Sequence, residues 1–234
     1  MRTAAVLTTL LFATAPAAGA PAAPTQIEAE YHISNNGIVI GRVFESYVRT
    51  GDRYRIESVT RSEGPLKLFL DDRVTLFSEG SVGPGGLVPR TFEQRRARDA
   101  SRDIRATFDW DKAELQSEFR GEGHTEKLPA GTQDRLSVMY QFMNLAPRGN
   151  EVRIHMSNGR KVELYAYRKV DEPRVKTPAG DFDTLHYERV TQSEKESRAQ
   201  LWLAKDRFHL PVRVVFDDPK GLRLDQTLVH LTLR

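Results

Sequence analysis

Alternation of apolar and polar residues is the feature that most constrains the fold of this 234-residue chain. It is strict over residues 26–33, 103–110 and 151–156. Because successive side chains of a strand point to opposite faces, such segments place one face on a core and the other in water. Further candidate strands cover residues 37–47, 53–61, 73–77, 162–167, 184–190, 200–203, 212–216 and 222–233. A phase slip at Leu228 and Val229 predicts a β-bulge in the last strand.

Short turn sequences separate these segments, among them NNG at 35–37, TGD at 50–52 and SNG at 157–159. Many strands joined by tight turns are typical of antiparallel sheets that curl. We therefore predict an all-β, mainly antiparallel fold, in which a curved sheet forms a barrel or half-barrel with one buried helix. No repeat or linker divides the chain, so residues 27–234 are expected to form a single β-rich domain.

The predicted helix covers residues 132–145, which show no alternation. Thr132 is a plausible N-cap and Pro147 would end the helix. The helical face is formed by Leu136, Met139, Tyr140 and Met143, and is widened by Val138, Phe142 and Leu145. This spacing leaves Gln141 on the exposed side. The apolar face either packs into a solid core or lines an adaptable apolar cavity.

The N-terminal sequence predicts export. Met1 and Arg2 precede an uncharged apolar segment at 4–15, and small residues and prolines follow up to Pro24. This is the layout of a cleavable signal peptide, here over residues 1–20, followed by a short linker at 21–26. We therefore expect a periplasmic protein. No other segment approaches the roughly 20 apolar residues of a spanning helix, so none is expected in the mature protein.

Composition argues against several functional classes. The chain has no cysteine, so core burial alone must stabilise an exported fold. Its 35 Lys and Arg and 32 Asp and Glu are interspersed, unlike the basic stripe of a nucleic-acid-binding protein. The six histidines lack metal-ligand spacing, and neither a G-x-S-x-G elbow nor a phosphate-binding loop occurs. The sequence thus predicts neither an enzyme nor a metal or cofactor site.

One charged region stands out between residues 90 and 105. It contains six arginines and reads as a hairpin with its turn at 99–101. The arginines are Arg90, Arg95, Arg96, Arg98, Arg102 and Arg105. They form either a solvated strand face or a basic rim that meets anionic lipid headgroups or another acidic partner.

A second region of interest is the corner between residues 201 and 216. Alternation directs Leu201 and Leu203 to one side and Trp202 to the other. Pro211 cannot donate to a strand ladder, so it belongs at a strand start or an edge. We hypothesise that Trp202, Leu210 and Pro211 border an apolar ligand site beside the helix residues Leu136, Met139, Tyr140 and Met143. Plain core packing of Trp202 is the alternative.

Several short sequences in this order resemble a family of proteobacterial periplasmic proteins of unknown function. They are Tyr31 with GIVIG at 37–41, YRI at 54–56, LVPRTF at 87–92, DRLS at 134–137, TPAGDF at 177–182, LWLAKD at 201–206 and LPVR at 210–213. The resemblance implies a fold and no catalytic residues. The last two sequences are also similar to half-barrel carriers of periplasmic lipoproteins, which implies a curved sheet with a helical lid around acyl chains.

Three functions therefore remain open. The first is non-enzymatic binding of an apolar or amphiphilic ligand, such as a lipid or another envelope component. The second is an assembly or interaction factor of the cell envelope without a ligand cavity, and the third is an unrecognised hydrolase. A cavity would favour the first function, and a solid core with an exposed apolar patch would favour the second. The oligomeric state is not predicted.

Overall fold

The structure is a computed structural model that describes residues 23–63, 73–145 and 149–234. The predicted signal peptide at 1–20 lies outside these residues. Within them, the chain forms sixteen strands and one α-helix, α1 (Ser137–Leu145). The first eight strands are β1 (Gln26–Asn35), β2 (Ile38–Thr50), β3 (Arg53–Ser62), β4 (Val74–Gly83), β5 (Gly86–Arg96), β6 (Ile104–Asp109), β7 (Glu114–Phe119) and β8 (Glu122–Lys127). The others are β9 (Gln133–Asp134), β10 (Glu151–Ser157), β11 (Val162–Asp171), β12 (Arg174–Thr177), β13 (Gly180–Arg189), β14 (Arg198–Ala204), β15 (Pro211–Asp217) and β16 (Arg223–Leu233).

The strands build one large curved sheet from two meanders. The strand order is β8-β7-β6-β5-β4-β3-β2-β1-β16-β15-β14-β13-β11-β10-β9, and β12 pairs with β13. All neighbours are antiparallel except β9 and β10. The two meanders meet where β1 pairs with β16. The predicted all-β fold, with a curved and mainly antiparallel sheet and one helix, is confirmed.

The predicted bulge lies at the junction of the two meanders. Glu30 is opposite His230, while the next residue, Tyr31, is opposite Leu228. Val229 is therefore the extra residue on β16, as the phase slip in the sequence indicated. A bulge of this kind increases the local twist, which helps the sheet to curve.

Curvature brings the two meanders into contact. The β10–β11 turn lies against β5 and β6, where a Cβ atom on Gly159 would be 2.6 Å from Ile104 Cγ2 and 3.1 Å from the Phe92 ring. Only a glycine fits there, and its φ of +87° also favours glycine. Phe92 and Ile104 belong to an apolar cluster that Val162 of β11 joins. The core thus lies inside the curved sheet.

The helix begins later than its sequence pattern predicts. Thr132 is not the N-cap, because residues 133–134 form β9 and α1 starts at Ser137. The carboxylate of buried Asp134 caps it instead, since its Oδ1 accepts the backbone N–H groups of Leu136 and Ser137, each at 2.8 Å. Ser78 Oγ of β4 donates to the other oxygen of Asp134 at 2.6 Å. One buried carboxylate therefore caps the helix and ties it to the sheet.

The predicted exposure of Gln141 is wrong. Only 5% of this residue is exposed, and its amide bridges the β4–β5 turn by accepting from Leu87 N and donating to Gly85 O, both at 2.7 Å. Gly86 has a φ of +101°, and a Cβ atom there would lie 2.4 Å from the Gln141 amide oxygen. The turn therefore has room for the amide because it lacks a side chain at this position.

Candidate functional site

An apolar cavity of about 260 Å³ lies between α1 and the inner face of the sheet. Five of the predicted ligand-site residues line it: Leu136, Met139 and Tyr140 of the helix region, and Leu210 and Pro211 at the corner. Most of its other lining residues are apolar and come from both meanders, namely Ile27, Ala29, Ile33, Val43, Leu76, Val214 and Leu231. The polar lining residues are Tyr31, Glu45, Ser58, Thr60, Arg135 and Gln226.

The other two predicted ligand-site residues lie outside this lining. Met143 packs against the same apolar cluster as Leu136 and Tyr140, but it does not line the cavity. Trp202 is 8% exposed and belongs to an apolar cluster with Phe182. Its ring stacks on His186 with the ring centroids 4.3 Å apart, and the guanidinium carbon of Arg213 lies 4.8 Å from its centroid. The structure thus brings the helix and the corner together but leaves Trp202 beside the cavity lining.

Alternation along β14 explains the position of Trp202. Leu201 and Leu203 pack in one cluster with Val138 and Phe142 of α1. Trp202, between them in the sequence, belongs to a different cluster. The helix therefore covers the leucine side of this strand.

A carboxyl group interrupts the apolar cavity wall. Glu45 Oε2 accepts a hydrogen bond from Tyr140 Oη at 3.1 Å, and Oε1 accepts one from Ser58 Oγ at 3.2 Å. Burial raises the pKa of the Glu45 carboxyl above its ordinary value, although the two hydrogen bonds oppose this shift. Tyr140 also stacks on Tyr47, with ring centroids 5.3 Å apart, which fixes the position of its hydroxyl. The cavity therefore has an oriented carboxyl group among its polar lining residues.

The six arginines of the predicted basic rim separate onto different surfaces. Arg95 and Arg105 both form ion pairs with Glu93 and are largely exposed. Arg96 and Arg102 line a separate hollow close to the cavity. The remaining two, Arg90 and Arg98, lie at exposed positions. The rim therefore does not act as one continuous surface.

Two further observations concern metal binding and membrane-spanning helices. In the three described ranges, no group of three or more His, Cys, Asp or Glu side chains is arranged to hold a metal ion. Over the same residues, no helix has both the length and the apolar character needed to cross a bilayer.

The sequence of the chain matches a known protein family. A family model described as "Protein of unknown function (DUF3108)" matches residues 30–227, which run from β1 into β16. The chain belongs to the DUF3108 family. The match includes every residue of α1 and both sides of the corner at Leu210, and it contains all of the cavity-lining residues except Ile27, Ala29 and Leu231. No curated protein matches this DUF3108 sequence.

This DUF3108 protein is similar to several solved structures at low sequence identity. A beta-barrel-like protein of the DUF1849 family from Brucella abortus has a TM-score of 0.60 and 12% identity, over 91% of this chain and 99% of that chain. A chain from Parabacteroides distasonis, provisionally described as a lipoprotein, has a TM-score of 0.37 and 11% identity over 90% and 97% of the two chains. A Vibrio parahaemolyticus chain, provisionally described as an outer membrane lipoprotein-sorting protein domain, has a TM-score of 0.30 and 8% identity over 89% and 85%. The Brucella protein shows a shared barrel-like fold.

Proposed function

We propose that this DUF3108 protein is an exported periplasmic protein that binds an apolar or amphiphilic ligand of the cell envelope without catalysis. The signal-peptide pattern of residues 1–20 supports the location. The cavity beneath α1 supports the binding role. Its apolar side chains can remove a long aliphatic group from water, and its polar side chains suit the polar end of such a ligand.

The observation that carries this proposal is unfilled apolar volume. Protein interiors are close-packed and contain few voids larger than a water molecule. A cavity of about 260 Å³ lined mainly by apolar side chains departs from that pattern. An aliphatic group that enters such a cavity leaves water and gains contacts with its apolar side chains. The volume lies just below the roughly 300–1,000 Å³ of pockets for drug-sized ligands, which favours one aliphatic chain over a two-chain lipid.

The proposal is tested with the uncharged fluorescent probe N-phenyl-1-naphthylamine and two tryptophan variants of α1. Met139→Trp places an indole in the cavity and should abolish saturable probe binding. Asn144→Trp adds the same group at an exposed position of the same helix and should leave binding unchanged. Thermal melts of both variants establish that they fold.

Two results would contradict the proposal. One is the absence of saturable binding to the unmodified protein, which would favour an interaction factor without a ligand cavity. The other is equal binding by the two variants, which would place the probe elsewhere on the protein.

A further inference from the structure

A second hollow, of about 220 Å³, lies close to the cavity. We call it the arginine basin, because Arg96, Arg102, Arg135 and Arg160 line it together with the amides of Gln94 and Asn158. Among its lining residues in the described part of the chain, none is acidic. A concave surface with several charges of one sign concentrates its field, so the basin attracts anions.

The basin and the cavity are neighbours on one face of the sheet. Pairing places Gln94 of β5 opposite Leu76 of β4, Leu76 opposite Ser58 of β3, and Ser58 opposite Glu45 of β2. Gln94 lines the basin, whereas Leu76, Ser58 and Glu45 line the cavity. Arg135 lines both hollows. Arg135 is therefore the residue at which the cavity and the basin adjoin.

Two of the four basin arginines, Arg135 and Arg160, are held in place before any ligand arrives. Arg135 Nη1 donates to Gln94 Oε1 at 3.2 Å, and Gln94 is itself 5% exposed. The guanidinium carbon of Arg160 lies 4.1 Å from the centroid of the Phe119 ring. Such restraint reduces the conformational entropy that a side chain loses when it binds a ligand.

Three of the four basin arginines lack the charge compensation that Glu93 gives to Arg95 and Arg105. Arg102, Arg135 and Arg160 form no ion pair with any residue of the described ranges, whereas Arg95 and Arg105 share Glu93. Arg96 and Arg135 line the same hollow, so their like charges repel each other. An anion in the basin would offset this repulsion between like charges.

We propose that the cavity and the arginine basin together bind a single-chain anionic amphiphile with a phosphate-type head. The aliphatic chain occupies the cavity, and the head contacts the basin arginines. This inference rests on the proposed function, since it assigns the chain to the same cavity. Arginine forks bind phosphate oxygens in pairs, and several of them favour a doubly charged phosphate over a carboxylate. Glu45 is three strands from Gln94, roughly 14 Å at the usual strand spacing, and lies toward the chain end.

Calorimetric titration with decyl phosphate and 1-decanol, both below their aggregation concentrations, tests the assignment. The unmodified protein should bind decyl phosphate at least tenfold more tightly than 1-decanol. The double variant Arg102→Gln/Arg160→Gln should lose at least tenfold in affinity for decyl phosphate and keep its affinity for 1-decanol. The matched control Arg95→Gln/Arg105→Gln removes two arginines from the outer face and should change neither affinity.

The outcomes separate this inference from the proposed function. If 1-decanol binds and decyl phosphate binds no more tightly, or if the basin variant changes nothing, the role of the basin is wrong and the apolar cavity remains a ligand site. If inorganic phosphate alone binds as tightly as decyl phosphate, the basin is an ion site independent of the cavity, and the combined site is wrong. If neither decyl compound nor the uncharged probe binds, the proposed function itself fails.

Discussion

Glu45 is a charged residue at a position of β2 where alternation predicts an inward-facing apolar residue. In β2 it lies between Val43 and Tyr47, two buried residues on the same side of the strand. Alternation alone therefore places its carboxyl on the inner face. The side chain is half-buried, and this loss of hydration raises the pKa of Glu45 above the ordinary 4.5. Above that raised pKa the carboxylate is charged in both states, and the folded state bears the cost of burying it.

Glu45→Gln is accordingly expected to stabilise the protein at pH 7. The gain should be about 1 kcal/mol, or roughly 3 °C in Tm, because glutamine removes the buried charge and keeps an acceptor for Ser58. As the pH falls from the raised pKa toward 4.5, the glutamate becomes neutral in the folded protein and the difference should disappear. Thermal melts of both proteins between pH 4 and pH 8 measure this.

The control for this experiment is Glu28→Gln, which changes an exposed glutamate of the neighbouring strand. It should give a small difference that does not vary over the same pH range. A Glu45→Gln protein that is less stable than the unmodified protein at every pH would show that the hydrogen bonds from Tyr140 and Ser58 outweigh the cost of burial.

Single residues were predictable where their neighbours are local in sequence. Helical spacing placed Leu136, Met139 and Tyr140 on one face, and that face lines the cavity. Arg135 is adjacent to this face in the sequence, but nothing in the sequence indicates that it meets Gln94 of β5. Such contacts depend on strand register and on how far the sheet curls, and local patterns determine neither.

At the scale of elements, α1 shows why its start was misplaced. A threonine followed by an acidic residue in the first turn is a common start signal, and the sequence offers Thr132 and Asp134. Short pairing with β10 takes residues 133–134 into β9 instead. The acidic residue then serves as the cap, because its carboxylate can reach Leu136 N, Ser137 N and Ser78 Oγ together. A tertiary contact thus overrides a local signal.

The contact between α1 and the β4–β5 turn should be a large contribution to stability. Gln141→Ala leaves the buried Leu87 N without a partner and removes the bond to Gly85 O, and it should cost about 1–3 kcal/mol. Phe142→Ala, which empties a fully buried site, should cost about 3–5 kcal/mol. Urea unfolding of each variant measures the cost.

Asn144→Ala is the control on the same helix, since Asn144 is exposed, and its cost should stay under about 0.5 kcal/mol. If Gln141→Ala cost no more than this control, water would replace the Gln141 side chain at the turn without loss of stability. The contact with the turn would then not stabilise the helix.

At the scale of the molecule, the fold class was predictable but the strand order was not. Alternation identified most strands, because one face of each is buried. It missed β8, whose six residues are all exposed, and β12, which is short and lies outside the main path of the sheet. It also missed the two-residue β9 and the six-residue β7, although β7 has two buried residues on one face. It also could not show that β1 pairs with β16, since a pairing over nearly 200 residues leaves no local signal.

The junction of β1 and β16 allows a test of the architecture by circular permutation. Thr25 N donates to Arg234 O at 2.7 Å, so a glycine-rich linker of about four residues can join residue 234 to residue 23. New termini in the β7–β8 turn at Gly121 should leave the stability nearly unchanged, because β8 is an exposed edge strand. Refolding in stopped-flow experiments should be roughly tenfold faster, because the junction becomes a local hairpin.

A second permutant with the same linker, opened at Gly51 between β2 and β3, is the control. It makes the junction local but turns the β2–β3 pairing into a long-range one, so it should refold more slowly than the first permutant. Identical rates for both permutants and the original chain would show that closing the junction does not limit folding.

Because β1 pairs with β16, the sheet cannot be completed until the last strand has been synthesised. During synthesis, β1 meets β2 at once, but its other edge has no partner until β16 has been made. During this time the unpaired edge of β1 exposes backbone N–H and C=O groups that can pair with a strand of another chain. The nascent chain is therefore open to incorrect strand pairing until β16 has been synthesised, so the rate of translation sets how long it depends on a chaperone or on an extended conformation.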